Sequence, residues 1–363
     1  MNAQPIRVLV VDDSALMRKL IPQILEADNS IQVVGTAMDG NFGLKKIEDL
    51  KPQVITLDLE MPGMGGLEML KEIMRRHRIP VIVVSSHTTE GASMTLRALS
   101  LGAFDFVPKP TDVSSRMQES ARELIAKIKA AAQSRGIQIA APNELPAPVV
   151  RQKLKIGEKR QPTKVVAIGI STGGPQSLQY LLAQLPHDFP GSIVVVQHMP
   201  EGFTEMFARR LDECCSLNVK EAQSGDLLLA GRVLICPGSR HMKLKRLPLG
   251  DIAILSDDPR VNGHRPSADV LFKSVAEEFG ERALGLLMTG MGEDGAHGLG
   301  LIKAAGGITI AQSEQSCVVF GMPKAAIERG YAMRVVDLGA LANTLQAQCR
   351  DQGANKSAAA GQD

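Results

Sequence analysis

Along the first third of the chain, apolar residues fall in two alternating rhythms. Near-continuous runs of Val, Ile and Leu occur in RVLVVDD, QVVGTA, QVITLDL, PVIVVSS and FDFVPKP. Between them lie stretches such as SALMRKLIPQILEAD and GGLEMLKEIMRRH, where apolar positions return every three or four residues. The first rhythm belongs to strands buried on both faces of a parallel sheet, the second to helices packed on those faces. Five such pairs predict a small doubly wound α/β domain, an N-terminal five-stranded parallel sheet over residues 1–125. A further helical pattern begins at Ser114 and ends near Arg135. It gives way to a Pro-, Ala-, Gln- and Lys-bearing stretch without a sustained period, so residues 126–163 are assigned to the helix end and a linker.

The alternation resumes at KVVAIGIS and continues through SIVVVQHM, RALGLLMTG and GITIAQ. A second doubly wound α/β domain is predicted over residues 164–350, its sheet mostly parallel, with an antiparallel hairpin region around DLLLAGRVLICPG and HMKLKR. Residues 351–363 are small and polar, and are expected to be disordered. A length of 363 residues agrees with two cores rather than one.

Composition narrows the function by exclusion. A net charge of +2 gives no bulk attraction to nucleic acid or to a membrane surface. With no Trp and two Tyr, the chain lacks stacking platforms for single strands. No apolar run is long enough to span a bilayer, and MNAQPIRVLVVDD is not patterned as a signal peptide, so a cytoplasmic location is expected. The five cysteines form no C-x-x-C pair and are odd in number, which argues against a disulfide framework or a structural zinc.

Chemistry enters at the ends of the strand runs. Asp12 and Asp13 end the first run and Asp58 the third. Ligands of an open α/β sheet bind outside the carboxyl ends of its strands, so the three carboxylates are expected to converge there. Such crowding is unfavourable without a cation, and hard oxygen donors suit Mg2+. Ser85 ends the fourth run and Lys109 the fifth, positions from which a hydroxyl and an ammonium could hold a phosphoryl group on a carboxylate. Taken singly, each aspartate also reads as a helix cap. As a set, the residues resemble the receiver domain of two-component response regulators, over roughly residues 6–125. That resemblance implies Asp58 as phosphoacceptor. It implies Asp12, Asp13, Asp58 and the backbone carbonyl of Glu60 as Mg2+ ligands, and Ser85, Phe106 and Lys109 as the switch. Phe106 lacks the hydroxyl that some receivers carry there, so its part of the switch is expected to work by packing alone.

In the second domain, Gly169-Ile170-Ser171-Thr172-Gly173 satisfies G-x-S-x-G between a strand run and a helical pattern. Glycines on both sides allow the tight turn and leave room for a substrate. The same segment also reads as a phosphate cradle or an ordinary glycine-rich turn, although the spacings of the nucleotide-binding loops are absent. A nucleophilic serine needs a base. His198, at the end of the next strand run, lies beside Ser171 if consecutive strands are neighbours. Of the seven histidines, His77 and His87 fall in the first domain. His187 and His241 precede or open strand runs, at the wrong end of the sheet. His264 and His297 lie in loops and stay open on position. Asp294, in GLLMTGMGEDGAHG, is placed to orient the imidazole, its other reading being a helix N-cap.

IGISTGGP, VVVQHMP, FTEMFARRLD, PGSRHMKL, HRPSADVLF, LLMTGMGEDGAHG and SCVVFGMPKAA occur in this order. They resemble the catalytic domain of the chemotaxis protein-glutamate methylesterases, the CheB family, over roughly residues 164–345. The resemblance implies Ser171 as nucleophile, His198 as base and Asp294 as its orienter. It further implies the Thr172 hydroxyl beside the histidine and the Met291 backbone N–H in the oxyanion hole. A phosphorylation-regulated serine hydrolase follows. It would act on glutamyl methyl esters of chemoreceptors and release methanol, with no cofactor for that step and with a chemotaxis histidine kinase as phosphodonor. Some members also deamidate glutamine by the same chemistry, which the sequence leaves open here. A phosphate-binding enzyme, a non-enzymatic output domain and a DNA-binding regulator are the competing readings.

Overall fold

The five apolar runs of the first third become five parallel strands in a computed structural model, which describes residues 4–86, 88–109, 115–134 and 161–350, with residues 115–119 as backbone only. They are β1 (Ile6–Val11), β2 (Ile31–Ala37), β3 (Val54–Asp58), β4 (Val81–Ser85) and β5 (Asp105–Pro108), in the spatial order β2-β1-β3-β4-β5. Helices α1 (Ala15–Glu26), α2 (Gly40–Leu50), α3 (Gly66–Arg76), α4 (Thr89–Ser100) and α5 (Ser115–Gln133) follow the strands in turn. Ser14, Asp39 and Thr88 cap α1, α2 and α4 by accepting a backbone N–H with the side chain. Val8, Val10, Val54, Ile82, Val84 and Val107 build one face of the core against Ile21, Leu25, Leu124 and Ile128. The strand order reverses between β1 and β3, so Asp12 and Asp58 lie at the switch point where such sheets bind ligands.

The second compact unit is built from its own sheet. Its elements are β6 (Val165–Ile170), α6 (Gly174–Ala183), β7 (Ser192–Gln197), α7 (Phe203–Cys214), β8 (Asn218–Glu221) and β9 (Arg232–Ile235). They continue with β10 (His241–Lys245), β11 (Ile252–Ser256), α8 (Ala268–Phe279), β12 (Ala283–Leu287), α9 (Ala296–Ala304) and β13 (Ile308–Gln312). The last are α10 (Met322–Glu328), β14 (Arg334–Val336) and α11 (Leu338–Cys349). Seven strands, all parallel, stand in the order β14-β13-β12-β6-β7-β9-β8. The central β6, β7 and β12 are buried along their whole length, as their unbroken apolar runs require.

The antiparallel region differs from the pattern in its partners. Arg232–Ile235 joins the parallel sheet beside β7, while β10 pairs antiparallel with β11, outside that sheet. Length explains why the pattern did not separate them: β9 and β10 are only four and five residues long, too short for their apolar positions to show which neighbour each takes. Strands β8 and β14 sit at the two sheet edges with few buried residues, and so carry little apolar signal. Thr163 is already tied to the second unit, its N–H donating to Pro190 and its hydroxyl to the Cys349 carbonyl. The linker expectation for residues 135–160 and the tail expectation for residues 351–363 lie outside the described residues.

Candidate active site

Strands β12, β6 and β7 are neighbours, and the residues just past their carboxyl ends meet. Ile170 and Gln197 are the last paired positions of β6 and β7, so Ser171 and His198 are the next residue of each strand. The last rung runs from the His198 N–H to the Ile170 carbonyl at 3.1 Å. Ser171 is held on its other side by its own N–H donating to the Thr289 carbonyl at 3.0 Å. His198 Nδ1 lies 3.2 Å from Ser171 Oγ, and His198 Nε2 lies 2.8 Å from Asp294 Oδ2. A carboxylate only accepts, so Nε2 carries the proton and the Nδ1 lone pair faces the serine hydroxyl. Chemically, this arrangement can serve as a relay of nucleophile, base and orienting carboxylate.

The glycines flanking the serine have separate tasks. Gly173 has φ +74°, which favours glycine at the turn into α6. At Gly169 a Cβ would lie 2.8 Å from the Ala268 side chain. That position therefore admits the start of α8 rather than a substrate, which corrects the sequence expectation for the first glycine.

Asp294 depends on that close approach. It does not cap its own following helix, whose N-cap is Gly295. Instead it accepts bonds at the N-terminus of α8, from Ala268 N at 2.7 Å and Ser267 Oγ at 2.6 Å. Asn262 Nδ2 adds a longer contact at 3.3 Å. Burial alone would raise its pKa, but the bonds from His198, Ser267 and Ala268 outweigh this and hold it well below the usual carboxylate range. The N-terminal end of the helix dipole favours the same charge. Ser267→Ala is therefore expected to lower kcat about tenfold and stability by about 1 kcal/mol, with KM unchanged. Steady-state kinetics and thermal melting check it, and a fall in stability alone would limit Ser267 to a structural part.

The remaining histidines separate clearly. His264 stacks on His198 with ring centroids 3.9 Å apart and planes 7° apart, covering one face of the imidazole. His297 lies in α9 rather than in a loop. His241 is not at a far end of the main sheet, because β10 is not in that sheet. It is fully buried beneath the site, accepting from Ser267 N at 3.2 Å and facing the Pro259 carbonyl at 3.1 Å. His77 follows α3, His187 lies in the α6–β7 loop, and His87 lies outside the described residues. Thr172 is buried, and its carbonyl accepts from Thr289 Oγ1 at 2.9 Å. Among the described residues its hydroxyl makes no hydrogen bond to His198. Met291 sits in the β12–α9 loop, and no backbone acceptor takes its N–H among the described residues.

A second constellation occupies the first unit. Ligand atoms of Asp12, Asp13 and Asp58 lie within 4.8 Å of one another. Asp12 and Asp58 are buried and Asp13 is exposed. Lys109 Nζ reaches Asp58 Oδ2 at 2.6 Å and Asp12 Oδ2 at 3.8 Å. Burial, then the neighbouring Asp58 charge, pushes the Asp12 carboxyl up to about 6. Burial also raises Asp58, partly opposed by Lys109. Asp12 Oδ2 is buried without a hydrogen-bond donor. One ammonium against three carboxyl groups, with an acceptor left over, fits a hard divalent cation. The Glu60 N–H donates to Asp58 Oδ1 at 3.1 Å, and the Glu60 carboxylate accepts from Ser86 at 2.9 Å.

Of the three residues expected to form a switch, Lys109 bonds to Asp58 directly, whereas Ser85 and Phe106 are engaged elsewhere. Ser85 Oγ accepts from Thr95 at 2.6 Å and lies 3.2 Å from the Gly91 carbonyl, so it faces α4. Phe106 is buried, and the Lys127 ammonium lies 5.3 Å from its ring centroid while donating to its carbonyl at 2.6 Å. Packing alone is therefore not what holds this ring, since a cation faces its π-system. Sequence reasoning missed Lys127 because a lysine four residues after Glu123 reads as a solvated helix pair. Ser267 and Ala268 lie within HRPSADVLF, where a serine before an apolar helical run is a visible cap signal, but nothing local shows which carboxylate that helix end receives. Among the described residues, no helix is long and apolar enough to cross a membrane.

Comparison with known proteins adds to this geometry. The family model described as CheB methylesterase matches residues 166–345, and that of the response regulator receiver domain matches residues 8–121. A protein-glutamate methylesterase/protein-glutamine glutaminase 2 from Koribacter versatilis is 60% identical over 357 residues, covering 97% of this chain and 98% of its own length. A protein-glutamate methylesterase/protein-glutamine glutaminase from Symbiobacterium thermophilum is 47% identical, covering 94% and 96%. The crystal structure of the Thermotoga maritima CheB methylesterase catalytic domain is 42% identical with a TM-score of 0.50, covering 51% of this chain and 97% of that one.

Proposed function

This chain belongs to the CheB methylesterase family, and we propose that Ser171, His198 and Asp294 are its nucleophile, base and orienting carboxylate. The substrates proposed are glutamyl methyl esters on methyl-accepting chemoreceptors. The observation that carries this reading is the relay of 3.2 Å and 2.8 Å through one imidazole at the ends of adjacent strands.

Ser171 Oγ attacks the ester carbonyl as its proton passes to His198 Nδ1. Asp294, held ionised by the α8 N-terminus, stabilises the imidazolium that results. The Met291 N–H donates to the oxyanion of the tetrahedral intermediate. When the intermediate collapses, the methoxy group takes the proton from His198 and leaves as methanol. Water then attacks the glutamyl-Ser171 ester, giving its proton to His198, and free glutamate and serine are restored. A glutamine side chain would follow the same course, with ammonia as the leaving group, in keeping with the double activity in the relatives' names. Methanol release from a methylated receptor fragment tests this reading, together with labelling of Ser171 by a fluorophosphonate. Folded protein that does neither would remove it.

In the first unit, Asp58 is proposed to accept a phosphoryl group from a histidine kinase of the chemotaxis system. Asp12, Asp13, Asp58 and the Glu60 carbonyl would hold Mg2+. When bound, the ion would supply positive charge that offsets the negative charge of phosphoryl transfer. Lys109 would then pair with phosphoryl oxygens, and the Ser85 hydroxyl would turn to them from Thr95 and Gly91.

Regulation of the esterase by this phosphorylation is expected to appear in rates. A fragment beginning near Pro162 should hydrolyse ester faster than the unphosphorylated full chain and should not respond to acetyl phosphate. A fragment no faster than the full chain would mean that the receiver does not restrain the enzyme.

A further inference from the structure

Beyond the last rung of β6 and β7, the strands that carry the nucleophile and the base have no further backbone bond to share. The Ser171 carbonyl faces the Gly174 N–H at 2.7 Å, and the His198 N–H is already used on Ile170. The Ser171 and His198 carbonyls are both acceptors and cannot bond to one another. The Gln197 side chain stands between them. Its Nε2 donates to the Ser171 carbonyl at 3.1 Å and to the His198 carbonyl at 3.1 Å. A side-chain amide has two N–H donors on one nitrogen, which is what two adjacent carbonyls require. A lysine or arginine would offer donors as well, but at the cost of burying a charge.

Beside the two bonds it makes, a glutamine at this place carries a cost. The residue is 2% exposed, and its Oε1 is buried without a donor. An unpaired buried acceptor is a cost to folding that a methionine of similar size would avoid. Room for this oxygen is kept by Gly174, where a Cβ would lie 2.1 Å from Gln197 Oε1. We infer that Gln197 is a positioning residue for ester hydrolysis, its amide clamping the backbones of Ser171 and His198 and so setting the distance from Oγ to Nδ1. The inference rests on the esterase reading above. Displacements of about 1 Å in such pairs cost on the order of 100-fold in rate.

The test uses the full chain with Gln197→Met, Gln197→Glu and Gly174→Ala. Ile193→Val, in the buried core of the same strand, serves as a stability control. Kinetics are measured on a methylated receptor fragment, and Ser171 activation by the rate of fluorophosphonate labelling. Gln197→Met is expected to lose about 10–100-fold in kcat with KM unchanged, and labelling should slow by the same factor. Gly174→Ala, which drives the amide away, should show a similar loss, and the double variant should lose no more than the larger single one. For Gln197→Glu, kcat relative to wild type should rise as pH falls, because only the protonated acid can donate to either carbonyl. If Gln197→Met or Gly174→Ala turns over within twofold of wild type, whether or not it melts lower as Ile193→Val does, Gln197 does not position the pair and the inference fails. Wild-type protein that neither labels nor hydrolyses ester would instead overturn the esterase reading itself.

Discussion

Ser171→Ala is expected to lower kcat for methyl-ester hydrolysis by about 10⁵–10⁶-fold, leaving only what substrate binding and the oxyanion donors give. Among the described residues, Ser171 offers the one hydroxyl within hydrogen-bond distance of His198, so no neighbouring group is placed to take over the covalent step. Loss of the side-chain oxygen leaves the strand ladder intact, because Ser171 is held by its backbone N–H and carbonyl. Circular dichroism and melting should therefore match wild type. His198→Ala is expected to fall as far, since nucleophile and base act as a unit. Asp294→Asn should fall less, by about 10⁴-fold, because an amide in that position can stabilise the wrong imidazole tautomer. That variant should also lose stability, since the α8 N-terminus prefers an anion. Methanol release and fluorophosphonate labelling read all three. Folded Ser171→Ala that retains wild-type turnover would rule out the covalent serine route.

Asp58→Asn is expected to abolish phosphorylation from acetyl phosphate and with it the activation of the full chain. Asp58 is the buried carboxylate that Lys109 pairs with directly. Asp12 is raised by burial and stands farther from the lysine, so it is a poor substitute nucleophile. Phosphate incorporation with base-labile chemistry measures the effect, and full labelling of Asp58→Asn would place the acceptor elsewhere. The basal esterase rate should be that of the unphosphorylated wild type.

The same substitution should change how stability depends on pH in metal-free buffer. The Asp12 carboxyl titrates near 6 when folded, against 3.8 as its ordinary value. Between those values the folded chain binds more protons than the unfolded one, so stability falls as pH rises through this window. Asp58→Asn should flatten the slope, because it removes the raised Asp58 carboxyl itself and one of the causes that raise Asp12. Denaturant melts at pH 4.5 and 7 would show this, and an unchanged slope would mean that neither effect operates in the folded chain.

Much of the fold is legible in the residues because its central strands are buried on both faces. β4, β6, β7 and β12 appear as nearly continuous apolar runs, and β1 and β3 as runs interrupted by Arg7 and Thr56. A parallel sheet gathers the residues just past such runs at one edge. That is why Asp12, Asp58 and Lys109, and separately Ser171 and His198, were readable as sets from chain order alone. The pairings of β9, β10 and β11 were not readable, since strands of four or five residues carry too few positions to show which neighbour each takes.

The parts held by polar contacts at long chain distance were decided by the tertiary structure. Asp294 is an anion at the end of a helix 26 residues earlier in the chain. His264 is a loop residue until a turn lays its ring on His198. Lys127 belongs to a solvated helix face until Phe106 and Asp105 enclose it. Burial leaves a periodic mark in sequence because every residue on a packed face must be apolar. A polar side chain's partner leaves none, because the bond depends on which donor or acceptor the fold brings within about 3 Å.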